Sequence, residues 1–138
     1  MEPRLSYVIG RLDRVLRRRL GAAVEPAGLT LPAYTALSVL RVQDGLSNAQ
    51  LARRSLITPQ SMSEVLALLV ERGYVKRRTE PGHGRVIRIE LTKTGGRALA
   101  RCDRAVDAVE QEMLAGLGAR RASALRNGLL SCGRALER

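Results

Sequence analysis

Residues 47–92 constrain this chain more than any other stretch. The string SNAQLARRSLITPQSMSEVLALLVERGYV carries the punctuation of two short helices joined by a turn. Ser47 and Thr58 are good N-caps, Pro59 suits a first helical position, and Gly73 supplies a left-handed stop. The following KRRTEPGHGRVIRIELT reads as two strands, 74–78 and 86–91, around a Gly-rich tip. Ile87, Ile89 and Leu91 alternate with Arg88 and Glu90, the period of a half-buried strand, and PGHG is a turn. A helix pair followed by an arginine-bearing hairpin is the pattern of a winged helix. Such a unit places one helix in the DNA major groove and an arginine beside it.

The flanks read as further helix. Leu5, Val8, Leu12, Val15 and Leu20 recur at three, four, three and five residues, with Leu16 widening the stripe. This is one face of an amphipathic helix over 4–24, and Arg11, Arg14, Arg17, Arg18 and Arg19 hold the rest. Pro26 and Gly28 stop it. Thr30 caps a second helix with Pro32 in its first turn, and Asp44-Gly45 ends that one. Thr92 caps a long helix with Leu99, Cys102, Val106, Val109 and Met113 at heptad-like spacing. A last helix repeats the pattern with Ala122, Leu125, Leu129, Cys132 and Leu136. A winged helix of about 60 residues needs no three extra helices to fold, so these seams point to a second subunit. The expected architecture is mainly α with a small β-wing. Residues 1–138 form one unit, with a DNA-binding core at 30–92 and dimerisation helices at 1–25 and 93–138. Leu5, Val8, Leu12, Val109, Met113, Leu125, Leu129 and Leu136 are the candidate interface residues.

Charge narrows the partner. The chain carries a formal +11 from 22 Arg and 2 Lys against 13 acidic residues. A surface this basic attracts polyanions. Residues 41–97 hold 11 basic and 5 acidic side chains, so the excess lies where the motif lies. No apolar run approaches the roughly 18 residues that span a bilayer. The N-terminus, studded with arginine, is not a secretory signal. Two cysteines make no disulfide framework; both fall within apolar stripes and are expected as buried structural residues. The plain reading is a cytosolic protein.

On the fourth helix, Met62, Val65, Leu66 and Leu69 share the core side. The opposite face offers Gln60, Ser63, Glu64 and Ala67, with Ser61 at its edge. Gln can bond adenine at N6 and N7, Ser reads base or phosphate, and Glu accepts from cytosine N4. Arg53, Arg54, Arg72, Lys76, Arg77 and Arg78 suit phosphate contacts, which give affinity and register. Arg85, beside the turn, is the candidate for a minor-groove contact. His83 is the only histidine. One His with no cluster of Asp, Glu or Cys makes no zinc site, so it is read as a polar turn residue near phosphate. There is no Gly-rich phosphate loop, no HExxH and no nucleophile elbow. Neither an enzyme nor a metal or organic cofactor is expected.

The order of elements and several strings resemble the MarR family of bacterial winged-helix regulators. The strings are LTLPAYTALSVL, SNAQLARRSLITPQSMSEVLALLVERGYVKR and EPGHGRVIRIELTKTGGRAL. The resemblance implies a homodimer formed by the first, fifth and sixth helices. It further implies binding to a pseudo-palindromic promoter site, usually as a repressor, with release by a small amphipathic or phenolic ligand. Carried over, Pro59, Gln60, Ser61 and Ser63 match recognition-helix positions and Arg85 matches the wing arginine. Two positions depart from the family pattern. His83 stands where an Asp usually orients the wing arginine, and Glu64 stands where Arg is common. Oxidation-sensing members keep a reactive cysteine near the N-terminus, and this chain has none there. Tyr7, Arg11 and Tyr34 are candidate pocket residues.

Two other readings compete. A non-specific, basic nucleoid-associated protein would share the charge, but neutral Gln60, Ser61 and Ser63 on the groove face favour a sequence-specific regulator. A peripheral membrane protein would use the basic first helix on an anionic surface. Asp13 on its polar face fits a solvated helix better.

Overall fold

The computed structural model describes residues 1–82 and 86–138. The elements run α1 (Leu5–Val24), a 3-10 turn (Glu25–Ala27), α2 (Leu31–Val42), α3 (Asn48–Arg54), α4 (Pro59–Glu71), β1 (Val75–Thr79), β2 (Ile87–Leu91), α5 (Lys93–Leu114) and α6 (Gly118–Leu136). Internal contacts divide the chain into two units, Met1–Val106 and Asp107–Arg138.

Caps set the start of four helices. The Thr30 side chain accepts from the Ala33 amide, and Thr58 from the Ser61 amide. Ser47 forms a reciprocal box, accepting from the Gln50 amide while the Gln50 side chain accepts from its own. Thr92 Oγ1 accepts from the Gly95 amide at 3.0 Å and donates to the Gly73 carbonyl at 2.6 Å, so one hydroxyl ties α5 to the end of α4. Each cap satisfies a donor that the first helical turn leaves without a partner. Gly73 has φ +73 and closes α4, as a residue without a Cβ allows. Gly95 is tighter still. A Cβ there would fall 2.1 Å from the Tyr74 carbonyl oxygen, so only glycine lets α5 start against the hairpin.

The core of the first unit is aliphatic, as a chain with almost no aromatics requires. Leu37, Leu40, Leu51, Met62, Leu66, Leu69, Ile89 and Leu99 are at most 2% exposed. Tyr34, Val39, Val65, Leu91 and Val106 pack against them. The strands pair antiparallel with Val75 opposite Leu91 and Thr79 opposite Ile87. Leu46 extends the hairpin by an isolated bridge to Ile89, with amide–carbonyl bonds of 2.8 and 3.0 Å through Leu46 and Gly45. Asp44 Oδ1 accepts from the Leu91 amide at 2.9 Å, so the loop after α2 is stitched to β2.

Three features depart from the sequence reading. A 3-10 turn at Glu25–Ala27 separates α1 from Gly28. Ile87 is 44% exposed while Ile89 is buried, so the strand's apolar face enters the core only at its middle. Cys132 is exposed, whereas Cys102 is buried as expected. The reason is that no residue of α6 is buried within the chain, so its apolar stripe has nothing of its own to pack on. In the second unit, Met113, Leu114, Leu125, Leu129 and Leu130 line an open recess of about 250 Å³. Among the described residues, no helix is long and apolar enough to cross a membrane.

Candidate nucleic-acid interface

Helix α4 turns Met62, Leu66 and Leu69 inward and leaves Pro59, Gln60, Ser61, Ser63, Glu64 and Ala67 exposed. The 3.6-residue period places Gln60, Glu64 and Ala67 along one line on the outer face. The first turn is rigidly built. Thr58 Oγ1 donates to Ser61 Oγ at 3.0 Å while accepting from its amide. Asn48, at the start of α3, donates from Nδ2 to the Pro59 carbonyl at 3.3 Å and to Ser63 Oγ at 3.2 Å. Ser63 Oγ in turn donates to the Pro59 carbonyl at 3.0 Å. This clamp from α3 to α4 fixes how the outer face is presented. Sequence spacing gave no hint of it, because the Asn48 side chain reaches 15 residues along the chain.

The turn between the two helices holds Leu56 at φ +62, and its side chain is 90% exposed. The left-handed region costs an L-residue with a long side chain roughly 1 kcal/mol.

The basic residues fall into two groups. Arg53 and Arg77 are exposed and have no ion pair among the described residues. Arg77 lines a recess of about 180 Å³ with Asn48, Ser63, Leu66, Ile87 and Ile89, so it sits between hairpin and α4. The others are engaged. Arg54 donates from Nη1 to Gln43 Oε1. Arg78 Nε lies 3.2 Å from Glu90, which Lys76 Nζ also approaches at 4.0 Å. Arg88 Nε bonds Glu80 at 3.0 Å. Arg72 packs against the turn at Gly28, where an added Cβ would meet Nη1 at 2.2 Å. Exposed pairs of this kind contribute little to stability. The hairpin closes with a bond from the Glu80 amide to the Val86 carbonyl, 3.2 Å, and a turn at Pro81-Gly82. His83 and Arg85, the two tip residues singled out in the sequence, lie outside the described residues.

Tyr34 has a role that sequence did not show. Its hydroxyl donates to Asp103 Oδ1 at 2.7 Å, and Arg41 Nη1 donates to the other carboxylate oxygen. Burial and the bond to Asp103 push the Tyr34 phenol up to about 12. Burial would raise the Asp103 carboxyl, but the bonds from Arg41 and Tyr34 outweigh it and hold it below the ordinary range. The Arg41 guanidinium is raised by the same bond. The trio joins α2 to α5. Beside it, Tyr34, Thr35, Ser38, Val39, Val42 and Arg54 line an open recess of about 410 Å³. Tyr7 and Arg11 do not reach it. They meet each other on exposed α1, with the guanidinium 6.0 Å from the ring centre. Burial raises the Cys102 thiol, as suits an inert core residue. Among the described residues, no group of three or more His, Cys, Asp or Glu is placed to hold a metal ion.

A capped helix-turn-helix with an antiparallel hairpin packed beside its second helix is a winged helix-turn-helix. Comparison with known proteins agrees. The MarR family model matches residues 27–86. The HTH-type transcriptional repressor Rv2887 of Mycobacterium tuberculosis is 39% identical over 115 residues, covering 83% of each chain. A solved structure of that MarR family protein in complex with DNA matches with TM-score 0.80 and 34% identity, over 96% of this chain and 99% of the other. Its complex with salicylic acid matches with TM-score 0.77 and 35% identity, over 95% and 97%. This chain belongs to the MarR family.

Proposed function

We propose that this protein is a sequence-specific transcriptional repressor that binds a pseudo-palindromic site as a homodimer and leaves it when a small amphipathic or phenolic molecule binds. The observation that carries the reading is the outer face of α4. A clamped helix N-terminus presents polar side chains there, with exposed Arg53 and Arg77 on neighbouring elements. A helix N-terminus favours phosphate, and small or planar polar groups let the helix approach base edges. In this reading residues 30–92 are the DNA-binding part. Pro59, Gln60, Ser61, Ser63 and Glu64 face the groove. Arg53, Arg54, Arg77 and Arg78 meet phosphates, and His83 and Arg85 act from the wing.

Residues 1–25 and 93–138 join two copies. Leu5, Val8 and Leu12 are 69%, 42% and 43% exposed, and Leu125, Leu129 and Leu136 are 41%, 47% and 87% exposed. Apolar stripes of this length left in water mark a contact. The effector class rests on the salicylic acid complex of the related repressor. The recess at Tyr34 has a matching chemistry, an apolar wall with a few polar groups. The assigned role is regulatory, not enzymatic, and is exercised in the cytoplasm where DNA lies.

Footprinting on the DNA upstream of its own gene, with random DNA as competitor at physiological salt, tests this. One protected palindrome, favoured by about a thousandfold or more over random DNA, is the expected result. Equal, salt-labile binding to both DNAs would make the protein a non-specific DNA-binding protein instead.

A further inference from the structure

The outer face of α4 is not uniform in what it has free to offer. Ser63 is committed twice, donating to the Pro59 carbonyl and accepting from Asn48. Ser61 Oγ already accepts from Thr58. Gln60 and Glu64, one turn apart, are exposed and have no hydrogen bond or ion pair among the described residues. Asp13, Glu80, Glu90 and Asp103 each pair with an arginine, and Glu64 does not. Helix α4 itself carries no basic residue from Pro59 to Glu71, so nothing on its own helix neutralises Glu64.

An ionised carboxylate only accepts hydrogen bonds. In the major groove the donors are cytosine N4 and adenine N6, while guanine O6 and N7 and thymine O4 are acceptors that repel it. Adenine sets its acceptor N7 beside N6, against the second carboxylate oxygen. Adenine N6 thus lies between two acceptors, its own N7 and the paired thymine's O4, whereas cytosine N4 has an acceptor on one side only, the paired guanine's O6. We propose that Glu64 is a specificity-determining residue that selects cytosine at one position of each half-site, with Gln60 reading the neighbouring bases. The inference rests on the reading of α4 as the groove-entering helix. It has a second consequence. A carboxylate among phosphates weakens binding to every DNA, so Glu64 trades general affinity for discrimination.

Selection from a randomised duplex library, run in parallel with the full-length wild type, Glu64→Gln and Glu64→Ala, tests this. Melting temperatures serve as a folding control, since the side chain is exposed. The wild type is expected to enrich a palindrome with one cytosine per half-site that both variants no longer require. The discrimination lost at that position is about tenfold, the size of one good base contact. Affinity of both variants for random DNA rises, opposite in sign to the loss of a structural contact. Enrichment of the same motif at the same frequencies by all three proteins would overturn the proposal, as would a Glu64-dependent base other than cytosine. Enrichment of no motif by the wild type would instead overturn the reading of the protein as a sequence-specific regulator, and the proposal with it.

Discussion

Leucines in the winged core and leucines on the terminal helices meet different fates. Leu37, Leu51 and Leu69 are wholly buried, while Leu5 and Leu129 are 69% and 47% exposed. Both sets repeat at helical spacing, and both would be read as core from hydropathy alone. The core leucines find partners because α2, α3, α4 and β2 close on one another within residues 29–102. Leu5, Val8 and Leu12 of α1 and Leu125, Leu129 and Leu136 of α6 stay exposed, whereas Leu99 and Cys102 at the start of α5 join the core. Apolar periodicity therefore says that a face will be covered, and not by whom.

The largest effect that sharpens this contrast is expected in the core. Leu51→Ala should cost about 3 kcal/mol in chemical denaturation, by lost burial and the cavity left behind. Leu129→Ala should leave the unfolding midpoint of the isolated chain nearly unchanged while weakening self-association. Equal losses from the two substitutions, independent of protein concentration, would erase the distinction. Gly95→Ala comes next. Its methyl would meet the Tyr74 carbonyl at 2.1 Å and Leu91 Cδ1 at 2.9 Å. Parting α5 from the hairpin should cost about 2 kcal/mol, read as a lowered melting temperature.

Asp103→Asn should cost about 1 kcal/mol at neutral pH, because the pair with Arg41 is partly exposed. The sign with pH follows from the depressed carboxyl. Its contribution is full above the unfolded carboxylate pKa, near 4, and fades as pH falls through the lower folded value. Thermal melts of the wild type and Asp103→Asn should therefore converge in acid below about pH 4. A constant gap down to strong acid would remove the carboxylate from the link between α2 and α5. The smallest effect is a gain. Leu56→Asn should stabilise by up to about 1 kcal/mol, since Asn tolerates the left-handed backbone at that turn.

Much of the fold could be read from residues whose chemistry is local. Thr30, Ser47, Thr58 and Thr92 cap helices because their hydroxyls reach an amide three residues on. Gly73 stops α4 through its own backbone freedom. What stayed hidden depends on distance along the chain. The Tyr34–Asp103 bond spans 69 residues and the Arg41–Asp103 pair 62, so no spacing rule could find them. The bridge from Leu46 to Ile89 belongs to no strand run. Leu56 defies the habit of placing Gly or Asn at a left-handed turn. On the outer face of α4, sequence named the side chains, but only the hydrogen bonds to Asn48, Thr58 and Pro59 separated the occupied serines from Gln60 and Glu64, which have no such bond among the described residues.

The central claim is that the terminal helices are incomplete in one chain and the winged core is not. Sedimentation velocity of the free protein, from nanomolar to high micromolar concentration, measures this directly. The account predicts a species of twice the chain mass that Leu129→Asp converts to a folded monomer. A wild-type monomer at the highest concentration would contradict it.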